Sequence, residues 1–179
     1  MSNGAQHDLG LVDHITAEAI GEPGQRTFNI TARSSRGEAV IWMEKEQLFQ
    51  VGISIKQFIA TRESTTVTAP VSPAAPGPEG PVEIEFKTGE MALRHDGAAD
   101  VFTLTAQEAV TEDDPERTPT GVEVTFTRAA AEDLADNALA AVAAGRKPCP
   151  LCGGPLDTAQ EHFCVKVNGH NRAAGGQSQ

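Results

Sequence analysis

All three cysteines of the chain lie in one C-terminal stretch, KPCPLCGGPLDTAQEHFCVKVNGH. Cys149 and Cys152 form a C-x2-C pair, and short loops of this kind commonly present two thiolates to one zinc ion. Cys164 would supply a third thiolate. A tetrahedral zinc site needs four ligands, so these three thiolates require one more donor nearby.

Two histidines could provide the fourth ligand. His162 lies two residues before Cys164, and residues i and i+2 of an extended segment point to the same side. His170 lies beyond Cys164 and follows an Asn-Gly turn, which makes it the rival ligand. The spacing favours His162. We therefore predict a closed Cys3His zinc knuckle formed by Cys149, Cys152, His162 and Cys164.

A redox dithiol is the alternative interpretation of the C-x2-C pair. Redox pairs usually place the reactive cysteine at the N-terminus of a helix that follows a strand, where the helix dipole lowers the thiol pKa. Here the pair follows a predicted helix and precedes the loop GGPLD, which favours zinc. A zinc ion with four protein ligands has no open position for water, so the site favours a structural role over catalysis.

Composition and charge narrow the class of protein. The chain has 179 residues, 39% of them hydrophobic, which suits one main domain with a modest core. Its net charge of -11 disfavours nucleic-acid binding, because that affinity depends on clustered lysine and arginine. No stretch approaches the roughly 20 apolar residues of a membrane helix. We expect a cytoplasmic protein that has no membrane segment.

The elements that must position these residues begin with strands. Period-two alternation marks HITAEAI, TFNITAR and EAVIWME, and the sequence GEPGQ between the first two suits a type II turn. A second block contains VEIEFKTGEMALRHD, ADVFTLTAQEA and VEVTFT, with a turn predicted at Thr88-Gly89. We therefore expect a three-stranded antiparallel meander, followed by up to four more strands.

Apolar residues at spacings of three and four predict two helices. The first is predicted from about Lys45 to Arg62, although Gly52 lowers its helix propensity by about 1 kcal/mol relative to alanine. The second begins after the capping residue Thr127 and ends near Gly145. The predicted fold class is α+β: antiparallel β-meanders packed with two main helices, followed by a C-terminal zinc knuckle.

The predicted domain organisation has three parts. An α+β domain spans residues 1–146 and contains a proline-rich loop at about 64–81. The zinc knuckle spans residues 147–171, and a disordered tail spans 172–179. The order strands, helix, strands, helix occurs along the first part, but this similarity between its two halves is too weak to indicate a sequence repeat.

Few other residues are candidates for chemistry. Arg26 beside the GEPGQ turn and Glu44 at a strand-helix junction could form polar walls of a pocket, although solvated positions are the commoner explanation. His14 and His95 lie on strand patterns, which favours surface or satisfied core histidines over ligands. No P-loop, H-E-x-x-H or G-x-S-x-G motif is present, so the sequence does not support an enzyme.

Three segments, in this order and at these distances, carry a family resemblance: GEPGQRTFNITAR, MEKEQL and ALAAVAAGRKPCPLCGGPLDTAQEHFCVKVNGHNR. They resemble the uncharacterised bacterial family called domain of unknown function 3090, over nearly the whole chain except the proline-rich middle. The family motif, C-P-L-C-G-x-P-L-D followed by G-H-x-C-P-R-x-N-G, has its histidine at the position of His162 and none at His170. The resemblance implies a zinc site and no activity.

Positions of the motif match this chain at Cys149, Cys152, His162, Cys164, Asn168 and Gly169. The chain departs from the motif where Glu161 replaces a glycine and where Val165 and Lys166 replace a Pro-Arg pair. Lys166 keeps the positive charge of that pair.

Three hypotheses follow for function. The first is a non-enzymatic binding or adaptor module with a protein partner and a structural Zn2+ site. The second is an enzyme or small-molecule binder that uses the region of Arg26 and Glu44. The third is a zinc-ribbon nucleic-acid binder, whose faint basic face would comprise Arg146, Lys147, Lys166 and Arg172.

Overall fold

The computed structural model describes residues 6–22, 24–61, 80–110 and 117–144, and these ranges contain seven strands and two helices. The strands are β1 (His7–Leu11), β2 (His14–Ile20), β3 (Thr27–Ser34), β4 (Gly37–Met43), β5 (Val82–Asp96), β6 (Val101–Glu108) and β7 (Gly121–Thr127). The helices are α1 (Lys45–Thr61) and α2 (Arg128–Ala143).

The first predicted meander is confirmed. Strands β2, β3 and β4 pair antiparallel in sequence order. At the turn between β2 and β3, the Gln25 N–H donates to the Glu22 carbonyl at 2.9 Å and Gly24 has a φ of 94°. A positive φ at the third position of a four-residue turn is what the GEPGQ sequence predicts, since glycine accepts it without steric cost.

The second meander has three strands, because β5, β6 and β7 pair antiparallel in order. The predicted turn at Thr88-Gly89 is wrong: both residues lie inside the single 15-residue strand β5. The register between β5 and β6 shifts between Thr88 and Glu90, as at a β-bulge. A Cβ at Gly89 would lie 3.0 Å from the Ala109 Cα, so a side chain at the bulge would require the neighbouring backbone to shift.

Two parallel pairings combine the meanders into one mixed sheet with the order β1-β7-β6-β5-β4-β3-β2. Strand β5 pairs parallel with β4 through Val82–Lys87 and antiparallel with β6 through Thr88–Asp96. Helix α1 connects β4 to β5, since parallel neighbours need a long crossover. The α+β class is confirmed, but the sheet is mixed rather than purely antiparallel.

The N-terminal segment joins the two ends of this strand order. Strand β1 pairs with β7, β2 pairs with β3, and only Val12 and Asp13 separate β1 from β2. The Val12 N–H donates to the Thr125 carbonyl of β7, and the Asp13 N–H donates to the Arg33 carbonyl of β3, each at 2.8 Å. The sheet therefore curls until its two ends meet at this segment.

Both helices pack on the inner face of the curled sheet. Helix α1 matches its predicted range and buries Leu48, Val51, Gly52 and Ile55. Helix α2 begins after Thr127, whose hydroxyl accepts a hydrogen bond from the Ala130 N–H, as predicted. Within the described ranges, neither helix is long and apolar enough to cross a membrane.

Several predictions concern residues outside the described ranges. They include Gly145 as the residue that ends α2, the zinc knuckle at 147–171 and the tail at 172–179. Of the proline-rich loop at about 64–81, only residues 80 and 81 are described.

Candidate functional site

The predicted metal ligands lie outside the described residues. They are Cys149, Cys152, His162 and Cys164, with His170 as the rival to His162. Within residues 6–22, 24–61, 80–110 and 117–144, no group of three or more His, Cys, Asp or Glu side chains could hold a metal ion. The zinc site therefore stays a prediction.

Arg26 and Glu44 lie in different local environments. The Glu44 carboxylate lies 2.6 Å from the Lys87 Nζ, and both side chains are 64% exposed. Lys87 alternates along β5 with the buried residues Phe86 and Thr88, so this ion pair lies on the outer face of the sheet. Arg26 immediately precedes β3, and its Nε is buried. A pocket shared by the two side chains therefore stays a prediction.

A buried polar cluster lies at the hairpin between β5 and β6. The His95 Nε2 is 3.0 Å from the Asp100 Oδ1, and the Arg128 Nη1 lies 3.6 Å from the same oxygen. The His95 ring packs against Phe102 at a centroid distance of 4.4 Å and against Phe58 at 6.1 Å. These contacts connect the hairpin to both helices.

The His95-Asp100 pair has the residue types of a general-base dyad, but it lies buried in the fold. The His95 side chain is only 3% exposed, so a substrate cannot reach it in this conformation. Arg128 begins α2 and also donates to the Ile59 carbonyl near the end of α1. The cluster therefore acts as a polar clasp that holds three elements together. The sequence favoured a surface or satisfied core histidine at position 95; the ring is buried, but its Nδ1 has no hydrogen-bond partner among the described residues.

A groove of about 570 Å³ runs between α1 and the inner face of the sheet. It is lined by Glu46, Gln47, Gln50, Val51, Ser54, Gly89, Glu90, Met91, Leu93 and Leu104. This volume falls within the range of small-molecule and cofactor sites. The floor is apolar because Met91 and Leu93 of β5 and Leu104 of β6 point inward, while the helix contributes the polar wall.

Gln47 fixes how the helix lies against the strand. Its Oε1 accepts a hydrogen bond from the Glu44 N–H at 2.8 Å, and its Nε2 donates to the Gly89 carbonyl at 3.3 Å. The bulge at Gly89 thus anchors the first turn of α1. The free polar atoms of the groove lie beside this anchor and further along the helix.

Three polar side chains of α1 that line the groove have no hydrogen bond or ion pair with any residue that the structure describes: Glu46, Gln50 and Ser54. Unpaired carboxylate, amide and hydroxyl groups above an apolar floor can contact a ligand without first breaking internal bonds. The sequence contained a signal for the helical part, since Gln47, Gln50 and Ser54 recur at spacings of three and four beside the apolar stripe.

Comparison with protein families gives one match. The model described as "Protein of unknown function (DUF3090)" matches residues 7–164. The matched region contains both helices, all seven strands and the residues up to Cys164. Comparison with curated proteins and with solved structures gives no match.

Proposed function

Starting from the fact that this chain belongs to the DUF3090 family of proteins of unknown function, we propose that it is a non-enzymatic binding or adaptor module with a protein partner. The observation that carries the proposal is the groove between α1 and β5, where the side chains of Glu46, Gln50 and Ser54, unpaired among the described residues, lie beside an apolar floor. Grooves with a few polar groups above apolar residues are typical of binding sites.

The buried clasp supports binding over catalysis. A catalytic histidine must lie within hydrogen-bond reach of a substrate atom. The His95 ring is 3% exposed and is covered by Phe58 and Phe102. The groove, in contrast, is lined by side chains of α1 that carry carboxylate, amide and hydroxyl groups.

We also propose that Cys149, Cys152, His162 and Cys164 bind a structural zinc ion. Three thiolates and one imidazole are a common donor set for structural zinc. The family match ends at Cys164 and so includes all four of these residues, whereas His170 lies outside it. Four protein ligands leave no open coordination position, so the ion would stabilise the C-terminal segment rather than activate water.

Metal analysis and cobalt substitution test the zinc proposal. We expect one equivalent of zinc in the purified full chain, loss of this zinc in His162→Ala, and its retention in the matched variant His170→Ala. The cobalt-substituted protein should show tetrahedral visible bands that do not change when azide or cyanide is added. Retention of zinc in His162→Ala with loss in His170→Ala would overturn the ligand choice. Bands that shift with azide would indicate an open position and a catalytic metal.

Site-specific photo-crosslinking in cells tests the binding proposal. A photoreactive residue at position 50, in the groove, should give a defined crosslinked protein, and Ser54→Trp in the same chain should abolish this product by filling the groove. The same probe at position 92, an exposed site on the outer face of β5, serves as the control. Equal crosslinking from Gln50 and Ala92, or no product from either, would contradict a binding role for the groove.

A further inference from the structure

The outer face of the sheet carries Trp42, the single tryptophan of the chain. Ile41 and Met43 on either side of it along β4 are buried in the core, so the Trp42 ring lies on the face of the sheet opposite to the helices. The ring is half-buried, and its Nε1–H donates to the Glu85 Oε1 of β5 at 2.8 Å. Aromatic side chains fixed on a surface in this way are common anchors of protein interfaces.

Carboxylates outnumber cations on the outer face around this ring. Those carried by β2, β4, the residue after β4 and the first half of β5 are Glu18, Glu38, Glu44, Glu83 and Glu85. Arg33 of β3 pairs with Glu38. Lys87 of β5 pairs with Glu44. The other three carboxylates have no cationic partner among the described residues, so this face is acidic.

Two of the carboxylates oppose each other across the parallel pair of β4 and β5. Glu38 and Glu83 are register partners, and neighbouring strands lie about 4.8 Å apart. Like charges at such positions destabilise a sheet. Glu83 and Glu85 also lie on one face of β5 at a spacing of two residues, about 6.6 Å. A cation that arrives from outside would relieve this repulsion.

The neighbouring strand adds an acceptor that has no donor. Asn29 of β3 is the register partner of Trp42 and alternates with the core residues Phe28 and Ile30, so it belongs to the outer face. It is only 3% exposed, and its Oδ1 accepts no hydrogen bond from any described residue. Buried acceptors are usually paired. The groups around the Trp42 ring are therefore mainly acceptors, and the chemistry that complements them is a donor with positive charge.

We propose that this outer face, centred on Trp42, binds an extended segment of a protein partner that carries arginine at two alternate positions. One guanidinium stacks on the Trp42 ring and pairs with Glu85, and the second pairs with Glu83. Side chains at i and i+2 of an extended segment lie about 6.6 Å apart, which matches the spacing of these two carboxylates. Arginine suits the site better than lysine, because its planar guanidinium stacks on aromatic rings and donates two hydrogen bonds to one carboxylate.

This surface is separate from the groove. The groove lies between α1 and the inner face of the sheet, whereas Trp42 lies on the outer face. Charge complementarity assigns the occupant, since the outer face combines unpaired carboxylates with a fixed aromatic ring. An adaptor with both surfaces would contact two partner segments at once.

NMR titration of the isotope-labelled full chain with three peptides of equal charge tests the inference. The first peptide is serine-arginine-serine-arginine-serine, the second has lysine in place of both arginines, and the third has the two arginines side by side. The single tryptophan gives one indole N–H signal, which reports on the site directly. We expect the first peptide to shift this signal and the Glu85 amide, and the other two to bind about two- to fivefold more weakly.

Paired charge variants give the matched control. Glu83→Gln with Glu85→Gln removes both carboxylates, and the glutamine amide oxygen at position 85 can still accept the indole N–H. Glu46→Gln with Asp133→Asn removes two exposed carboxylates of the helices and changes the net charge equally. We expect the first pair to weaken binding of the alternating arginine peptide about fivefold and the second pair to change it less than about twofold. Trp42→Leu should remove the preference for arginine over lysine.

Three outcomes would overturn the inference. Equal binding of the three peptides, or equal weakening by the two charge pairs, would show non-specific attraction of cations. A peptide that shifts the amides of Gln50 and Ser54 and leaves the indole signal unchanged would bind in the groove instead. The crosslinking test of the groove remains independent, because its control position, Ala92, lies seven residues from Glu85 along β5, about 23 Å away.

Discussion

Replacing Gly52 with alanine tests how closely α1 and α2 pack. A Cβ at Gly52 would lie 3.0 Å from the Leu139 Cγ, 3.2 Å from its Cδ2 and 3.4 Å from the Ala135 carbonyl oxygen. Favourable contacts between carbon atoms lie at about 3.5 to 4.0 Å. An added methyl group therefore requires Leu139 to move, while the backbone of Ala135 restricts where it can go.

Two opposing contributions determine the effect of Gly52→Ala on the free energy of unfolding. Alanine stabilises a helix by about 1 kcal/mol relative to glycine. Overpacking a buried contact destabilises a protein by about 1 to 3 kcal/mol. Gly52 is buried and meets both a side chain and a backbone atom, so we expect the packing cost to exceed the helix gain. The expected net loss of stability is about 1 kcal/mol.

Urea unfolding of the full chain measures this difference, with the fluorescence of Trp42, the single tryptophan, as the signal. Gln57→Ala and Gln57→Gly, at an exposed position of the same helix, provide the matched control and should differ by about 1 kcal/mol from helix propensity alone. In a Leu139→Ala background, where the clash is removed, Gly52→Ala should become stabilising.

The refuting result is specific. The Gln57→Ala and Gln57→Gly variants differ in unfolding free energy by the helix propensity alone. If Gly52→Ala raises the unfolding free energy of the otherwise unchanged chain by this same amount, the contact with Leu139 does not restrict the helices. The close approach of α1 and α2 would then have no energetic consequence, and glycine at this position would be explained by something other than packing.

Asp100 has a φ of 52°, a left-handed conformation that costs alanine about 1 to 2 kcal/mol. Asp100→Ala and Asp100→Gly both lose the hydrogen bond to His95. Asp100→Ala should nevertheless destabilise the protein more, because glycine accepts this φ without the steric cost. Equal urea midpoints for these two variants would exclude backbone strain at Asp100. The pKa of Glu108 is lowered, first by the hydrogen bond from the Thr120 backbone N–H and further by the charge of Arg117. A carboxyl whose pKa is lower in the folded state stabilises the protein fully above its unfolded pKa of about 4.3. It loses this effect as the pH falls through the folded pKa. The stability difference between the native chain and Glu108→Gln should therefore shrink on acidification. A difference that stays constant in thermal unfolding between about pH 6 and pH 3 would contradict this assignment.

Local patterns in the sequence predicted the elements well where one pattern had one interpretation. Lys45–Thr61 has apolar residues on a single helical face, and Thr127 caps α2 with its hydroxyl as predicted. The Thr88-Gly89 pair was misinterpreted because a β-bulge and a turn favour the same residue types. Only the pairing of β5 with two different neighbours distinguishes the two, and pairing is a long-range property.

The candidate site was harder to predict than the elements. The polar stripe of Gln47, Gln50 and Ser54 is visible in the sequence, but the same pattern is typical of any solvated helix face. Gly89 and Met91 become part of the same groove because the bulge sets the position of β5 against α1. In the same way, the sequence placed Glu44 at a strand-helix junction without indicating that it would pair with Lys87 on the outer face of the sheet.

The sequence by itself determined the α+β class, the first meander, both helices and membership in a family that the C-terminal motif already indicated. These features follow from local periodicity, capping and spacing, which act over a few residues. Only the tertiary structure decided that β4 and β5 pair in parallel, that the segment around Val12 closes the sheet, and that His95 is buried against Asp100. Such features depend on contacts between residues distant in the chain, whose free energies are set by packing and burial rather than by local pattern.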